Sequence, residues 1–281
     1  MAVYLDTSAF DHIYRKLGCT AADIANLRRK IYGRDLSLLL SIHTLEEILL
    51  DRRARPEERV ARIKLTLSLA NFRRMVKAGD QLLLDDLRSY AATGEPARPF
   101  IDADLQNVLS DGLSELIETD GEELDEDLIA ALEQTRARKQ RFHAALLAPL
   151  AAAPARASAA NPSTPVAFAE FYAAGLTVWL TAFLEQQGLL QACAARGLEA
   201  LFGLRSVRMM VGLILSFDYE RLCEPDAPRA AAPLDLFHAV AGAAATDTIV
   251  TPDSRLRRLL SRVPLDGLEV LDLPTFLRRV V

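Results

Sequence analysis

Four carboxylates lie at the borders of short apolar runs near the two ends of the chain. If these runs are parallel strands, their carboxyl ends share one edge of a sheet, and the acids converge there. Four such charges repel one another unless a cation neutralises them, and hard carboxylate oxygens suit Mg²⁺ or Mn²⁺. The acids are Asp6 after the run 2–5, Glu47 in the first turn after the run 36–42, Asp235 before the run 248–250, and Asp253 just after that last run.

Each acid also has a structural interpretation. Thr44 and Glu47 have the spacing of a capping box, so Glu47 alone is better explained as a helix-start residue. Asp235 and Asp253 are each well placed to act as helix N-caps. Asp6 is the hardest to explain in this way, because the sequence VYLDTS offers it no helix to cap directly, with Thr7 and Ser8 expected to cap one from Ala9. Only the four acids together favour a metal site.

The elements that must position these acids alternate between strand and helix at both chain ends. This alternation predicts one α/β fold, a three-layer α/β/α domain around a central parallel sheet. The sheet is assembled from both termini, and a long all-α insertion separates its two parts. The predicted strands are Ala2–Leu5, Leu36–Ile42, Thr248–Val250 and Leu268–Leu271, with helices after residue 8, after Thr44 and from Pro233.

The middle of the chain shows helical periodicity and almost no strand signal from about Arg59 to Leu222. An Ala/Pro/Ser-rich stretch near 148–165 predicts a linker within it. We therefore expect three parts: residues 1–60 and 230–281 as the two halves of the sheet domain, and 61–229 as a helical insertion subdomain. The apolar segment Phe171–Leu184 is too short to span a bilayer, and we interpret it as a buried helix.

Charge is distributed unevenly along the chain. The formal net charge is −5, but eleven acids and no Lys or Arg lie between Phe100 and Leu132, so the rest of the chain carries +6. Basic faces around an acidic pocket suit a polyanionic substrate held near metal ions, although any single cluster is better explained as a solvated helix face. The clusters are Arg28–Lys30, Arg52–Arg55, Arg73–Lys77 and Arg255–Arg258.

The cysteines and the N-terminus bear on the compartment. Cys19, Cys193 and Cys223 are odd in number and far apart, which predicts neither a disulfide framework nor a zinc site. The N-terminal residues lack a basic region followed by an apolar stretch, so no signal peptide is expected. These features predict a cytoplasmic protein with no membrane partner.

The segments LDTSAF, SIHTLEEILL, PLDLFHAVAGAAA and TIVTPDSRLRRLL resemble the four signature segments of PIN-domain ribonucleases, in the same order. The resemblance covers roughly the first 60 and the last 50 residues. It implies that the acids bind one or two divalent ions, which activate water to cleave an RNA phosphodiester.

The resemblance assigns a position to each candidate site residue. Asp6 matches the first acid, with Ser8 as the nearby hydroxyl. Glu47 rather than Glu46 matches the second, because the family's Glu is followed directly by an apolar residue. Asp235 matches the third acid, and Asp253 matches the fourth, with Thr251 two residues before it. The chain is about twice the usual family length, and the step from Glu47 to Asp235 leaves Asp218 and Glu220 as alternatives for the third acid.

The function expected from these residues is a divalent-metal-dependent endoribonuclease that uses Mg²⁺ or Mn²⁺. The alternative is a catalytically inactive PIN-like scaffold whose helical insertion binds a protein or RNA partner. A haloacid-dehalogenase-like phosphatase would need a second Asp where Ser8 stands, and a dinucleotide-binding fold would need a glycine-rich first turn. Further possible partners are an antitoxin protein and a second copy of the chain. The helical insertion could also take the place of an antitoxin by covering the site itself.

Other residues that could do chemistry have simpler explanations. His238 lies one helical turn after Asp235 and could assist a metal or a phosphate, but a histidine packed in the core or exposed at the surface is the commoner case. His12, His43 and His143 form no motif. Trp179, together with Phe171, Tyr172 and Phe183, has helical spacing that favours a core role over base stacking.

Overall fold

The computed structural model describes residues 1–51, 53–70, 74–119, 126–147, 167–223 and 233–280. Its centre is a sheet of four parallel strands, in the order β2-β1-β3-β4. In the central strand, Tyr4 lies opposite Leu39 on one side and Ile249 on the other. Both chain ends therefore build one sheet, as predicted. The strands are β1 (Ala2–Leu5), β2 (Ser37–Leu39), β3 (Thr248–Val250) and β4 (Glu269–Leu271).

Helices make up most of the rest of the described chain. Apolar residues at helical spacing give each of the longer helices a buried side, and polar residues cover the other. In chain order they are α1 (Thr7–Tyr14), α2 (Ala21–Tyr32), α3 (Ile42–Leu49), α4 (Pro56–Leu69), α5 (Gly79–Thr93), α6 (Ala103–Glu118), α7 (Glu126–Leu147), α8 (Phe168–Gln186), α9 (Leu190–Arg196), α10 (Leu198–Leu201), α11 (Arg205–Cys223), α12 (Pro233–Ala245), α13 (Ser254–Leu260) and α14 (Leu273–Val280).

Both faces of the sheet are buried under helices. Side chains alternate between the faces of a strand, so Tyr4 of β1 points to one face while Val3 and Leu5 point to the other. Tyr4 joins a hydrophobic cluster with α5, α8, α11 and α12. Val3 and Leu5 join a second cluster with α1, α2, α4 and α14. The continuous apolar runs in the sequence follow from this double burial, and the chain has an α/β fold around a parallel sheet.

The edge of the sheet beside β2 differs from the sequence prediction. The second strand is shorter than predicted, because α3 already begins at Ile42. Beyond it, isolated bridges join Leu38 to Ala70 and Ser41 to Val76, both parallel, and Val76 to Phe100. Extended backbone therefore lies where helical periodicity was predicted. Pairing at an edge depends on a distant strand and leaves no local periodic signal.

The helices of the middle segment share a core with the sheet. At the start of α5, a Cβ on Gly79 would lie 2.1 Å from the carbonyl oxygen of Phe237 in α12, so only glycine permits this contact. The segment Phe171–Leu184 is part of α8, with Trp179 fully buried as predicted for a core residue and Val178 37% exposed. No described helix is both long and apolar enough to cross a membrane. The predicted linker near 148–165 lies outside the described residues.

Candidate active site at the carboxyl edge of the sheet

Asp6 is the N-cap of α1, which corrects the expectation that it has no helix to cap. The helix begins at Thr7, immediately after β1, and Asp6 Oδ1 accepts a hydrogen bond of 2.7 Å from the backbone N–H of Ala9. The predicted cap at Thr7 and Ser8 is therefore wrong, since α1 starts two residues earlier than Ala9. Asp6 is buried, with 6% of its surface exposed.

Glu47 was expected to belong to a helix capping box, and in the structure it does not cap a helix. Helix α3 has Ser41 as its N-cap and begins at Ile42, so Thr44 lies inside the helix and the predicted capping box does not form. Glu47 then falls in the second turn. Its Oε2 atom lies 3.0 Å from His238 Nε2, which is on α12.

His238 lies at the centre of a hydrogen-bond network that joins four elements. Its Nδ1 atom is 2.6 Å from the Tyr4 hydroxyl of β1, and its Nε2 atom is 3.1 Å from Thr7 Oγ1. The Tyr4 hydroxyl donates to Ser41 Oγ at 2.8 Å, so its oxygen accepts from Nδ1 while Nε2 donates to the carboxylate of Glu47. This arrangement, with a donor role for both ring nitrogens, favours the charged imidazolium form of His238.

The pKa shifts of this network reflect the same pairing. Burial alone would lower the pKa of His238, but the charges of Glu47, Asp6 and Asp235 together with its hydrogen bond to Glu47 raise it. Burial alone would raise the pKa of Glu47, but the His238 charge and donors, including Thr7, bring it down to about 2. The two shifts have opposite signs, as expected for an ion pair.

Asp6 is less well compensated than Glu47. Burial raises its pKa from 3.8 to about 6, and the negative charge of Glu47 adds to this effect. A hydrogen bond from the side chain of Thr251, the His238 charge and the Ala9 N–H offset only part of the shift. Ionised Asp6 is thus a source of electrostatic strain at neutral pH.

The other two predicted acids lie close to this network. Asp235 is half-buried in the first turn of α12, and its charge contributes to the raised pKa of His238. Asp253 is the N-cap of α13, and its Oδ1 accepts from the backbone N–H of Arg255 and Leu256, at 2.7 and 3.0 Å. Of the four acids, Glu47 contacts His238 directly, while Asp6 and Asp235 act on it through their charge. Asp253 caps a helix and is joined to Asp6 through Thr251.

The two predicted supporting hydroxyls differ in position. Thr251 is fully buried and links two acids, because its side chain donates to Asp6 while its oxygen accepts from the Asp253 N–H at 3.1 Å. Ser8 is exposed on α1. The hydroxyl that reaches the network from this segment is that of Thr7, which lies close to both His238 and Glu47.

A second buried cluster adjoins the first. Lys139 of α7 is 1% exposed; its Nζ donates to Glu46 Oε2 and lies 2.7 Å from His43 Nδ1. His43 Nε2 accepts from the Gly79 backbone N–H at 3.1 Å, with Asp80 Oδ1 at 3.7 Å. The His43 ring meets the His238 ring edge-on, with centroids 5.4 Å apart. The two clusters therefore form one continuous polar region.

Of the alternatives for the third acid, Glu220 is engaged elsewhere. It is buried on α11 and accepts from Arg255, with one contact of 2.8 Å, and from Arg258. Asp218 is buried on the same helix. Asp235 is the acid of this group whose charge acts on His238.

Three residues of this region were missed or undervalued in the sequence. His238 had a usable signal, since it follows Asp235 by three residues and so shares its helix face. His43 had a similar one, four residues before Glu47. Lys139 had none, because it belongs to a distant helix and only the tertiary fold brings it to Glu46.

The donor chemistry fits a hard divalent cation. Carboxylate oxygens such as those of Asp6 and Asp235 are the ligands that Mg²⁺ and Mn²⁺ prefer, and such an ion would relieve the incompletely compensated charge of Asp6. Among the described residues, no group of three or more His, Cys, Asp or Glu side chains lies in a position to hold a metal. Mg²⁺ commonly binds through one or two carboxylates and keeps several waters, a mode that does not require three protein ligands.

Comparisons of the chain with family models, with curated proteins and with solved structures gave no significant match.

Proposed function

We propose that this chain is a divalent-metal-dependent endoribonuclease with a PIN-like three-layer architecture. The observation that supports it most directly is that His238 pairs with Glu47 at 3.0 Å and also feels the charges of Asp6 and Asp235, at the carboxyl edge of a parallel sheet. These acids come from three separate elements at both ends of the chain. Asp6 is buried while Glu47 and Asp235 are partly buried, and neighbouring carboxylates repel one another unless cations compensate them.

Each residue of the network has a role in this proposal. Asp6 and Asp235 would hold the cation, with Asp253 beside them. Once bound, a divalent ion lowers the pKa of a bound water and stabilises charge on the attacked phosphate. His238 orients Glu47 through its Nε2 contact, and Thr251 orients Asp6 through its hydroxyl.

The proposed substrate is RNA, bound as a polyanion. One of the predicted basic clusters is less available than expected, because Arg255 and Arg258 are ion-paired with Glu220. Arg29 and Lys30 of the first cluster are exposed on α2 and remain candidates for phosphate contacts. The three cysteines are free thiols, which agrees with the proposed cytoplasmic location.

Cleavage of an RNA panel tests this function. Structured and single-stranded RNAs are incubated with Mn²⁺ or Mg²⁺ and with wild type, Asp6→Asn or Asp235→Asn. Asp102→Asn is the matched control, since Asp102 caps α6 at an exposed position. We expect cation-dependent cleavage by wild type and Asp102→Asn, and only the background rate from the other two. Equal cleavage by all four proteins would refute the proposal.

A second candidate function is an inactive PIN-like scaffold. The observation that favours it is that Glu46 and Glu47 already have cationic partners within the protein, in Lys139 and His238. A folded wild type that neither cleaves RNA nor gains thermal stability from millimolar Mn²⁺ would support this candidate, because a ligand of the native state raises the melting temperature.

A further inference from the structure

Lys139 of helix α7, in the middle of the chain, lies buried against Glu46 of α3. A lysine with 1% exposure is unusual, because burying an ammonium is costly unless it is paired. Here Nζ donates to Glu46, the direct sequence neighbour of Glu47. The lysine is therefore a tethered cation at the edge of the proposed metal site.

The tautomer of His43 shows where the lysine is anchored. The Gly79 N–H can only donate, so His43 Nε2 must accept and its proton lies on Nδ1. An ammonium cannot donate to a protonated Nδ1, and the 2.7 Å contact between Lys139 and His43 is no ordinary hydrogen bond. The attachment of α7 at this point is thus the ion pair of Lys139 with Glu46.

The rest of α7 is attached along a narrow stripe. Phe142 stacks on Phe237, next to His238, with ring centroids 6.1 Å apart. One turn further on, Leu146 is buried and its carbonyl accepts from the Trp179 indole. Residues 139, 142 and 146 share one face, and of the described α7 side chains only Lys139 and Leu146 are fully buried. A helix with so few buried contacts belongs among the least stable parts of a fold.

We propose that α7 is an intramolecular cover of the carboxylate site, anchored by the Lys139–Glu46 ion pair, and that its docking competes with a divalent cation for the site. The competition rests on the proposed function, whereas the anchor does not. Both cations act on one continuous cluster: Lys139 compensates Glu46, and a metal ion would compensate Asp6 and Asp235. Docking of α7 and binding of the ion then weaken each other by the same factor.

Hydrogen–deuterium exchange of the full chain tests the anchor. Lys139→Met keeps the apolar stem and removes the charge, which leaves Glu46 without a cationic partner on α7 and with only its His43 Nδ1 contact at 3.3 Å. We expect faster exchange across residues 126–147 and unchanged exchange in β1 and β3. Arg138→Met is the matched control, because it removes the same charge from an exposed position on the same helix. Wild-type exchange of α7 in Lys139→Met would overturn the anchor.

The double variant Glu46→Gln/Lys139→Met separates an ion-pair anchor from simple misfolding. Removing both charges leaves no unpaired ion, so exchange of α7 should return toward the wild-type rate. If the double variant exchanges as fast as Lys139→Met, or if the strands also lose protection, Lys139 is a structural residue and no anchor.

Mn²⁺ titration by calorimetry tests the competition. We expect Lys139→Met to bind Mn²⁺ about tenfold more tightly than wild type, within the usual range of coupling between sites, and Arg138→Met to match wild type. Equal affinity in Lys139→Met and wild type would overturn the competition and leave the proposed function standing. Absence of Mn²⁺ binding in every variant would overturn the proposed function, while the exchange data still settle the anchor.

Discussion

Replacing Asp6 by Asn should make the protein more stable at neutral pH in the absence of divalent cations. Asn is a neutral mimic of the protonated acid, and it can still accept the Ala9 N–H as an N-cap. The difference between the ordinary pKa of 3.8 and about 6 in the fold corresponds to about 3 kcal/mol between the charged and neutral forms. The variant removes that cost without removing the cap.

The sign of the pH dependence follows from the raised pKa. Folded Asp6 holds its proton more tightly than unfolded Asp6, so wild-type stability falls as pH rises from about 4 to about 6. The loss levels off about one pH unit above the folded pKa and is constant beyond that. The gain in Asp6→Asn should therefore be near zero at pH 4 and about 3 kcal/mol at pH 7.5.

Urea unfolding in the presence of EDTA measures this gain, with the free energy of unfolding determined for wild type and variant at pH 4, 5.5 and 7.5. Asp102→Asn makes the same substitution at the exposed N-cap of α6, where Asp102 Oδ1 accepts from Leu105 at 2.8 Å. We expect it to change stability by only a few tenths of a kcal/mol. A destabilised Asp6→Asn at pH 7.5, or a gain that does not depend on pH, would refute the electrostatic reasoning.

Three further predictions follow from the same region. His238→Gln should lower the free energy of unfolding by roughly 1–3 kcal/mol at pH 6. Because the pKa of His238 is raised, the advantage of wild type over the variant in urea unfolding should be present below pH 6.5 and fade as pH rises through the folded pKa. A difference that does not change with pH would contradict the ion pair. Asp235→Asn should abolish RNA cleavage while Glu220→Gln retains it, and the reverse result would make Glu220 the third acid. Gly79→Ala should lower the free energy of unfolding by about 2 kcal/mol or more, because the added Cβ would lie 2.1 Å from the Phe237 carbonyl oxygen. Thermal or urea unfolding measures this loss, and an unchanged stability would show that α5 can move away from α12.

The sheet at the two chain ends was the most predictable part of the fold. The bounds of β1 and β3 match the predicted Ala2–Leu5 and Thr248–Val250. Each strand is a short apolar run followed by a polar residue and then a helix. The local sequence pattern is therefore enough to predict where each strand begins and ends. The Ala70 and Val76 bridges had no such pattern, because edge pairing depends on a strand more than thirty residues away.

The candidate site was predictable in its acids and less so in their local roles. Asp6 was expected to be free of a cap and Glu47 to be part of one, and the structure reverses both. The reason is that α1 starts directly after β1 and α3 starts at Ile42, and helix starts shift easily by a turn. Lys139 could not be predicted at all, since a lysine becomes buried only where a distant carboxylate meets it.

The most direct test of the cation site is Mn²⁺ binding, measured by calorimetry, to wild type, Asp6→Asn, Asp235→Asn and the control Asp102→Asn. If Asp6 and Asp235 hold the cation, wild type and Asp102→Asn bind Mn²⁺ saturably, and both other variants lose this binding although Asp6→Asn is the more stable protein. No saturable binding by wild type, or equal binding by all four proteins, would contradict the claim that these acids form a cation site.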